Sequence, residues 1–257
     1  MLSYQHLYHA GNPADVHKHA ILAWMLGRLT EKPKPLTYVE THAGRGLYDL
    51  SSAEAVKTGE AKAGVGRLLS KFDPAHPYSA VIEAVRTAHG AASYPGSPAI
   101  AGQLLRDADR IHLAELHPQE HAALRKAMEG RGRVHRADGF ELAMSLCPPD
   151  PRRGLVLIDP SYEIKADYER LPRFIRQVNR VWNVGVIVLW YPVLREAVHL
   201  EMLTALQLAG LPGTFRHEVR FPPVRPGHRM IGSGLFVVNA PYGLKEAADE
   251  VAALFAG

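Results

Sequence analysis

Residues 155–163, LVLIDPSYE, set an acid, a proline, a serine and a tyrosine directly behind an apolar run. A proline after the acid ends a strand's hydrogen-bond ladder and frees carbonyls to face a cleft. Asp159 and the Pro160 carbonyl then offer two acceptors, matching the two hydrogens of an exocyclic amine. Tyr162 gives a flat face on which a base stacks, or else packs on the proline of a turn. Three other segments carry related chemistry. In THAGRGLYDL (41–50), Gly44 and Gly46 either let the backbone approach a ligand closely or form an ordinary strand-to-helix turn. IHLAELHP (111–118) brings Glu115 to a strand end, where it can accept from both hydroxyls of a ribose or simply open a surface loop. RADGFE (136–141) presents Asp138 beside Gly139, a carboxylate suited to the amino group of an adenine. Together these strand ends describe a pocket for an adenosine-bearing cofactor. A dinucleotide fingerprint wants a third glycine where Asp49 stands, which counts against an NAD-dependent oxidoreductase.

Other candidate chemistries have less to rest on. His9, Asp15, His17 and His19 are imaginable metal ligands, but His-x-His on a helix turns its rings to different faces, so no metal is expected. Cys147 has no neighbouring base in sequence and reads as inert packing. Ser233 in IGSGLF is not a nucleophile elbow, because Ile231 replaces the first glycine.

The elements that must position these residues alternate in type. Strands are expected at 36–40, 111–115, 133–137, 154–159, 184–190, 214–221 and 233–239. GLVLID and VGVIVLW are continuous apolar runs, as central parallel strands covered on both faces require. Helical segments at 118–130, 168–180 and 195–210 separate most strands, which predicts an α/β doubly wound sheet. The last two strands are joined by the loop PPVRPGHRMIG, predicting a final hairpin with one antiparallel strand. About seventy residues between Glu40 and Ile111 exceed a single crossover. Residues 52–95 are therefore read as a small inserted helical subdomain on a domain formed by 1–51 and 96–257.

A chain of 257 residues, 47% hydrophobic and 22% charged, has length for one large core. Its net charge of +4 suits a polyanionic partner weakly, or only a soluble surface. With a single cysteine, no signal peptide before Tyr4 and no apolar run long enough for a membrane span, a soluble cytoplasmic protein is expected.

SYQHLYHAGNPADVHKH, ETHAGRGLYDL, YPGSP (94–98), AELHP, RADGF, LIDPSYE, LWYP (189–192) and SGLFVVN occur in this order. Together they resemble the bacterial large-subunit ribosomal RNA adenine-N6-methyltransferases of the RlmJ type, over nearly the whole chain. The resemblance implies a Rossmann-like fold with a seven-stranded mostly parallel sheet, S-adenosyl-L-methionine (SAM) as cofactor, 23S rRNA as partner, and a monomer. It implies cofactor-site roles for His19, His42, Ser97, Glu115, Asp138 and Gly139, and a catalytic acceptor in Asp159. Tyr4, His6 and Lys18 would lie near the target nucleotide. The family motif is Asp-Pro-Pro-Tyr; here Ser161 replaces the second proline while the acid, the first proline and the aromatic remain. Basic side chains such as Lys18, Arg45 and Arg225 are candidates for holding phosphates. A base must leave its stack to reach such a pocket, which implies RNA free of protein. DNA adenine-N6 methylation and non-catalytic RNA binding are the alternative functions.

Overall fold

The computed structural model describes residues 5–224, 227 and 229–256, so Tyr4 and Arg225 lie outside it. Its strands are β1 (Thr37–Glu40), β2 (Leu47–Asp49), β3 (Ser93–Pro95), β4 (Arg110–Ala114), β5 (Arg133–His135), β6 (Gly154–Ile158), β7 (Val186–Leu194), β8 (Phe215–Arg220) and β9 (Met230–Val238). Seven form one sheet in the order β5-β4-β1-β6-β7-β9-β8, and β2 pairs with β3 apart from it. β9 runs antiparallel to both its neighbours, and the pairings from β5 through to β7 are parallel. All seven expected strands are present. The chain leaves β1 toward β4 on one side and returns through β6 on the other, so the order reverses at β1/β6. Open α/β sheets bind ligands beyond the carboxyl ends of their strands at such a point.

Strand composition explains the layering. Every residue of β6 is buried, with Leu155 and Leu157 on one face and Val156 and Ile158 on the other. Each such side chain contributes about 1.5–3 kcal/mol relative to exposure. On the first face lies the helix α1 (Pro13–Thr30), and on the second the helices Gly139–Leu146, Asp167–Val181 and His199–Gln207. α1 starts where NPAD dictates: Asn12 Oδ1 accepts from the Asp15 N–H at 2.8 Å, and Pro13 follows at the first helical position.

β7 is longer than the apolar run alone suggests, continuing through Pro192 to Leu194. The reason is one-sided pairing. β6 accompanies β7 only to Leu189, whereas β9 runs beside it to the end, so the missing proline donor lies on an unpaired edge. The paired ends of β7 and β9 therefore stand beyond the rest of the sheet.

Residues 53–89 hold the short helices Ala53–Thr58, Glu60–Ala63 and Val65–Leu68 and the longer helix Pro77–His89. Their Val65, Leu68, Tyr78 and Ile82 share one apolar core with α1 and the sheet. They are also tied to the N-terminal segment. The Val65 N–H donates to Gly11 O at 2.8 Å, Thr58 Oγ1 donates to Tyr8 O at 2.6 Å, and Glu60 Oε2 meets both His9 Nδ1 and Asn12 Nδ2. Among the described residues, no helix is long and apolar enough to cross a membrane.

Candidate active site

A cleft of about 960 Å³ opens at the carboxyl ends of β1, β4, β6 and β7. It brings together Gly44, Glu115, Asp159, Pro160 and Tyr162, together with His6, Lys18, His19, His42 and Ser97. Asp138 and Gly139 are not part of its lining.

Gly44 sits at φ +61°, and a Cβ there would meet Tyr48 Oη at 2.6 Å. Only glycine fits this turn at low cost. The Gly44 N–H donates to Glu115 Oε2 at 2.8 Å and the His117 N–H to Glu115 Oε1 at 2.7 Å. The carboxylate is thus aimed by backbone donors and keeps further lone pairs. Below it, Glu40 ends β1 fully buried, accepting from Tyr38 Oη at 2.8 Å and Ser97 Oγ at 2.5 Å. Burial, opposed by these two hydrogen bonds, pushes its carboxyl up to about 8. Arg45 is held by Glu120 through Nε (2.9 Å) and Nη2 (2.6 Å), so this cation serves an ion pair beside the glycine turn.

Asp138 caps the helix Gly139–Leu146, its Oδ1 accepting from the Phe140 and Glu141 N–H groups. Gly139 abuts the end of β1, where a Cβ would stand 1.8 Å from Thr41 O. That close approach fixes the helix start against the strand. His42 lines the cleft, and burial pulls its pKa down to about 4, against the pull of Asp159 and Asp138.

The other half of the cleft is organised by charge. Lys18 Nζ lies 2.6 Å from Asp159 Oδ2 and 3.2 Å from Asp15 Oδ1, with its side chain 5% exposed. Burial would weaken the ammonium, but the two carboxylates overcome this and hold it above the ordinary lysine range. Asp15 also accepts from the Gly11 N–H at 2.9 Å and meets His6 Nε2 at 2.8 Å. Burial opposes its charge, yet His6, Lys18 and His19 hold its carboxyl well below the usual range. His19 bonds Tyr94 Oη through Nδ1 at 2.9 Å, and burial drives it down to about 3. His17, two residues away, faces Ser233 and His217 instead, as helical geometry requires.

Tyr162 takes φ +57°, a conformation few bulky residues adopt and one that clusters at functional sites. Its hydroxyl donates to Trp190 O at 2.6 Å, and its ring packs on Tyr168 with centroids 4.8 Å apart. Tyr162 thus leans on a neighbouring ring and also lines the cleft. Trp190 is fixed in turn by its indole N–H, which donates to Ser233 Oγ at 2.9 Å, and its ring lies 5.4 Å from Lys18 Nζ.

Sequence reasoning passed over Glu40, Tyr48 and Trp190 as site residues. Glu40 carried a signal, an acid closing a buried strand, but its contact with Ser97 joins positions 57 residues apart. Asp15 was weighed as a metal ligand and stands here as the partner of Lys18. Lys18 itself meets carboxylates in the cleft, and Cys147 is buried with its thiol pushed up to about 12 by desolvation.

A family model described as "RsmJ: Ribosomal RNA large subunit methyltransferase D, RlmJ" matches residues 33–256. Two relatives named "Ribosomal RNA large subunit methyltransferase J" align along almost the whole chain. That of Escherichia coli (strain K12) is 38% identical over 256 residues, 98% of this chain and 91% of the relative. That of Haemophilus influenzae is 37% identical over 257 residues, 98% and 92%. The crystal structure of protein LPL1258 from Legionella pneumophila superposes with a TM-score of 0.86 at 35% identity, covering 95% of this chain and 92% of that one. The methyltransferase domain of METTL16 shares the fold alone, with a TM-score of 0.52 at 10% identity over 89% of this chain and 69% of its own.

Proposed function

The chain belongs to the family of ribosomal RNA large-subunit methyltransferases of the RsmJ/RlmJ description, and from that premise we propose that it methylates the exocyclic N6 of a specific adenine in 23S rRNA with SAM as donor. The reading rests on one observation: Asp159, Pro160 and Tyr162 line the same cleft as Gly44 and Glu115.

The residues present fit a cationic, adenosine-bearing cofactor better than a phosphate-bearing one. Arg45, the cation beside the glycine turn, is taken by Glu120, while Glu115 faces the cleft as an acceptor. SAM supplies an electrophilic methyl group on a sulfonium. Gly44 would admit it closely, Glu115 would hold its ribose, and Ser97, His19 and His42 would shape the remaining wall. Asp138 and Gly139 would act from outside the lining, by fixing the helix start and the local field. In this role His19 and His42 work as neutral rings, consistent with their lowered pKa values of about 3 and 4.

The amine of adenine is a weak nucleophile because its lone pair is delocalised into the ring. Hydrogen bonds from N6 to the Asp159 carboxylate and to the Pro160 carbonyl would favour a more tetrahedral nitrogen and orient it for attack. Tyr162 would stack on the base, its ring held by the Trp190 carbonyl. Lys18 holds Asp159 in place at 2.6 Å, with Asp15 and His6 supporting the ammonium from the far side. Tyr4 is proposed beside the target nucleotide as well, from the resemblance alone. Ser161 is exposed at the cleft, and its exchange for the family's proline leaves the acid, Pro160 and Tyr162 in place. The test is transfer of tritiated methyl from SAM to 23S rRNA isolated from cells lacking the activity, followed by nucleoside mass spectrometry. N6-methyladenosine at one site is expected; incorporation into duplex DNA but not rRNA would overturn the choice of substrate.

A further inference from the structure

We infer that the exposed face of the helix Asp167–Val181 is a docking track for the phosphate backbone of the RNA strand that carries the target adenine, an inference that rests on the function proposed above. Arg170, Arg173, Arg176 and Arg180 are spaced three, three and four apart, which places them on one side of a helix. All four are exposed, while Leu171, Phe174, Ile175 and Val178 are buried against the sheet on the other side. The helix's two acids, Asp167 and Glu169, stand in its first turn, and none follows. Among the described residues, Arg173, Arg176 and Arg180 form no ion pair.

Other helices of this protein treat surface charge differently. Leu244–Ala253 mixes Lys245 with Glu246, Asp249 and Glu250, and Lys245 Nζ pairs with Asp249 at 2.6 Å. Like charges three and four residues apart repel and weaken a helix. Arg180 has a local benefit, since it answers the negative end of the helix dipole. Arg173 and Arg176, at mid-helix, have none. The row also uses only arginine, whose planar fork grips a phosphate by two hydrogen bonds.

The position of the row suits RNA in particular. The helix begins eight residues after Asp159, continuing the loop that carries Tyr162. Its first turns lie against the start of the helix Gly139–Leu146, where the Arg170 guanidinium covers the Phe140 ring at 4.0 Å and lies 3.8 Å from Asp138. From there to Arg180, ten residues at 1.5 Å each extend about 15 Å, enough to follow several phosphates of a strand whose target base is extruded.

The test compares Arg173→Glu/Arg176→Glu/Arg180→Glu with the wild type, leaving Arg170 intact. Binding to a 23S rRNA fragment that contains the target is measured across a salt series. Three lost phosphate contacts should weaken binding at least about tenfold at low salt, and flatten log K against log salt by about 2–3. Methyl transfer should suffer through KM, with kcat, SAM affinity and melting temperature unchanged. A glutamine triple variant, which removes charge without reversing it, should give a smaller loss in the same direction. Lys57→Glu/Lys62→Glu/Lys126→Glu makes the same change in net charge elsewhere and should leave the slope near the wild type. An unaltered slope in the arginine variant, an equal loss in the lysine control, or lost binding to an acidic protein instead of RNA would overturn the track. Wild-type protein that binds RNA through these arginines but transfers no methyl group would sink the proposed reaction and leave the track standing.

Discussion

Glu115 and Asp159 both follow parallel strands at the same end of the sheet, yet their surroundings are opposite. Glu115 is satisfied by two backbone N–H groups, and its neighbour Glu40 by two hydroxyls. Asp159 is held by a full positive charge, shared with a second buried carboxylate. Neutral donors orient an acid while leaving it lone pairs, which suits a wall that grips a ligand by shape and hydroxyl contacts. An ammonium instead grips a carboxylate by a short charge-assisted hydrogen bond that fixes one of its oxygens. One half of the cleft thus suits the proposed cofactor binding and the other the proposed amine acceptor.

Variants can break this contrast. Asp159→Ala removes the proposed acceptor and should lower kcat by about 10²–10³-fold, while calorimetry still detects SAM binding; full activity would discard the assignment. Glu115→Ala should do the reverse, weakening SAM by about 10–100-fold, as expected for a lost hydrogen bond to a charged group, with kcat at saturating SAM far less affected. A fall in kcat alone would mean the two halves are not separable. Trp190→Phe keeps an aromatic wall and the carbonyl that holds Tyr162 but removes the N–H bound to Ser233. A loss of about 0.5–1.5 kcal/mol in stability is expected by denaturant titration, together with a few-fold loss in kcat and no change in SAM affinity.

A further effect concerns pH. Glu40 titrates near 8 in the folded protein against an ordinary value of 4.5, so the native state retains a proton that the unfolded chain releases. Its stabilising contribution is complete below about 4.5 and is lost as pH rises toward 8, by no more than about 1.4 kcal/mol per pH unit. Glu40→Gln should therefore melt with a flatter dependence between pH 5 and 8 than the wild type, in parallel with it above that range. Parallel curves from pH 5 upward would mean that Glu40 is already ionised in the native state.

Much of the fold was legible because period and punctuation agree. GLVLID and VGVIVLW had to be buried strands, and the Pro/Gly loop before Met230 had to turn the chain back. The extension of β7 through Pro192 was not, since a proline ends a strand unless its missing donor faces an unpaired edge. In the site, Gly44, Glu115 and Asp159 are strand-end residues whose place follows from topology. The partnership of Lys18 with Asp15 and Asp159 joins positions 141 residues apart at its widest and has no local signature. The arginine row was hidden for a related reason: charges every third or fourth residue form no block in a sequence and meet only when the helix winds.

The ties between the N-terminal segment and the helices Ala53–Leu68 have a practical consequence. These short helices hold the chain that carries His6 and Asp15 through Gly11, Asn12 and Tyr8. If they open on warming, the counter-ion of the proposed reactive acid loses its support while the seven-stranded sheet still stands. Heat inactivation and loss of the native circular dichroism would then be separate events, and damage to a region remote from the chemistry would read as a dead enzyme rather than an unfolded one.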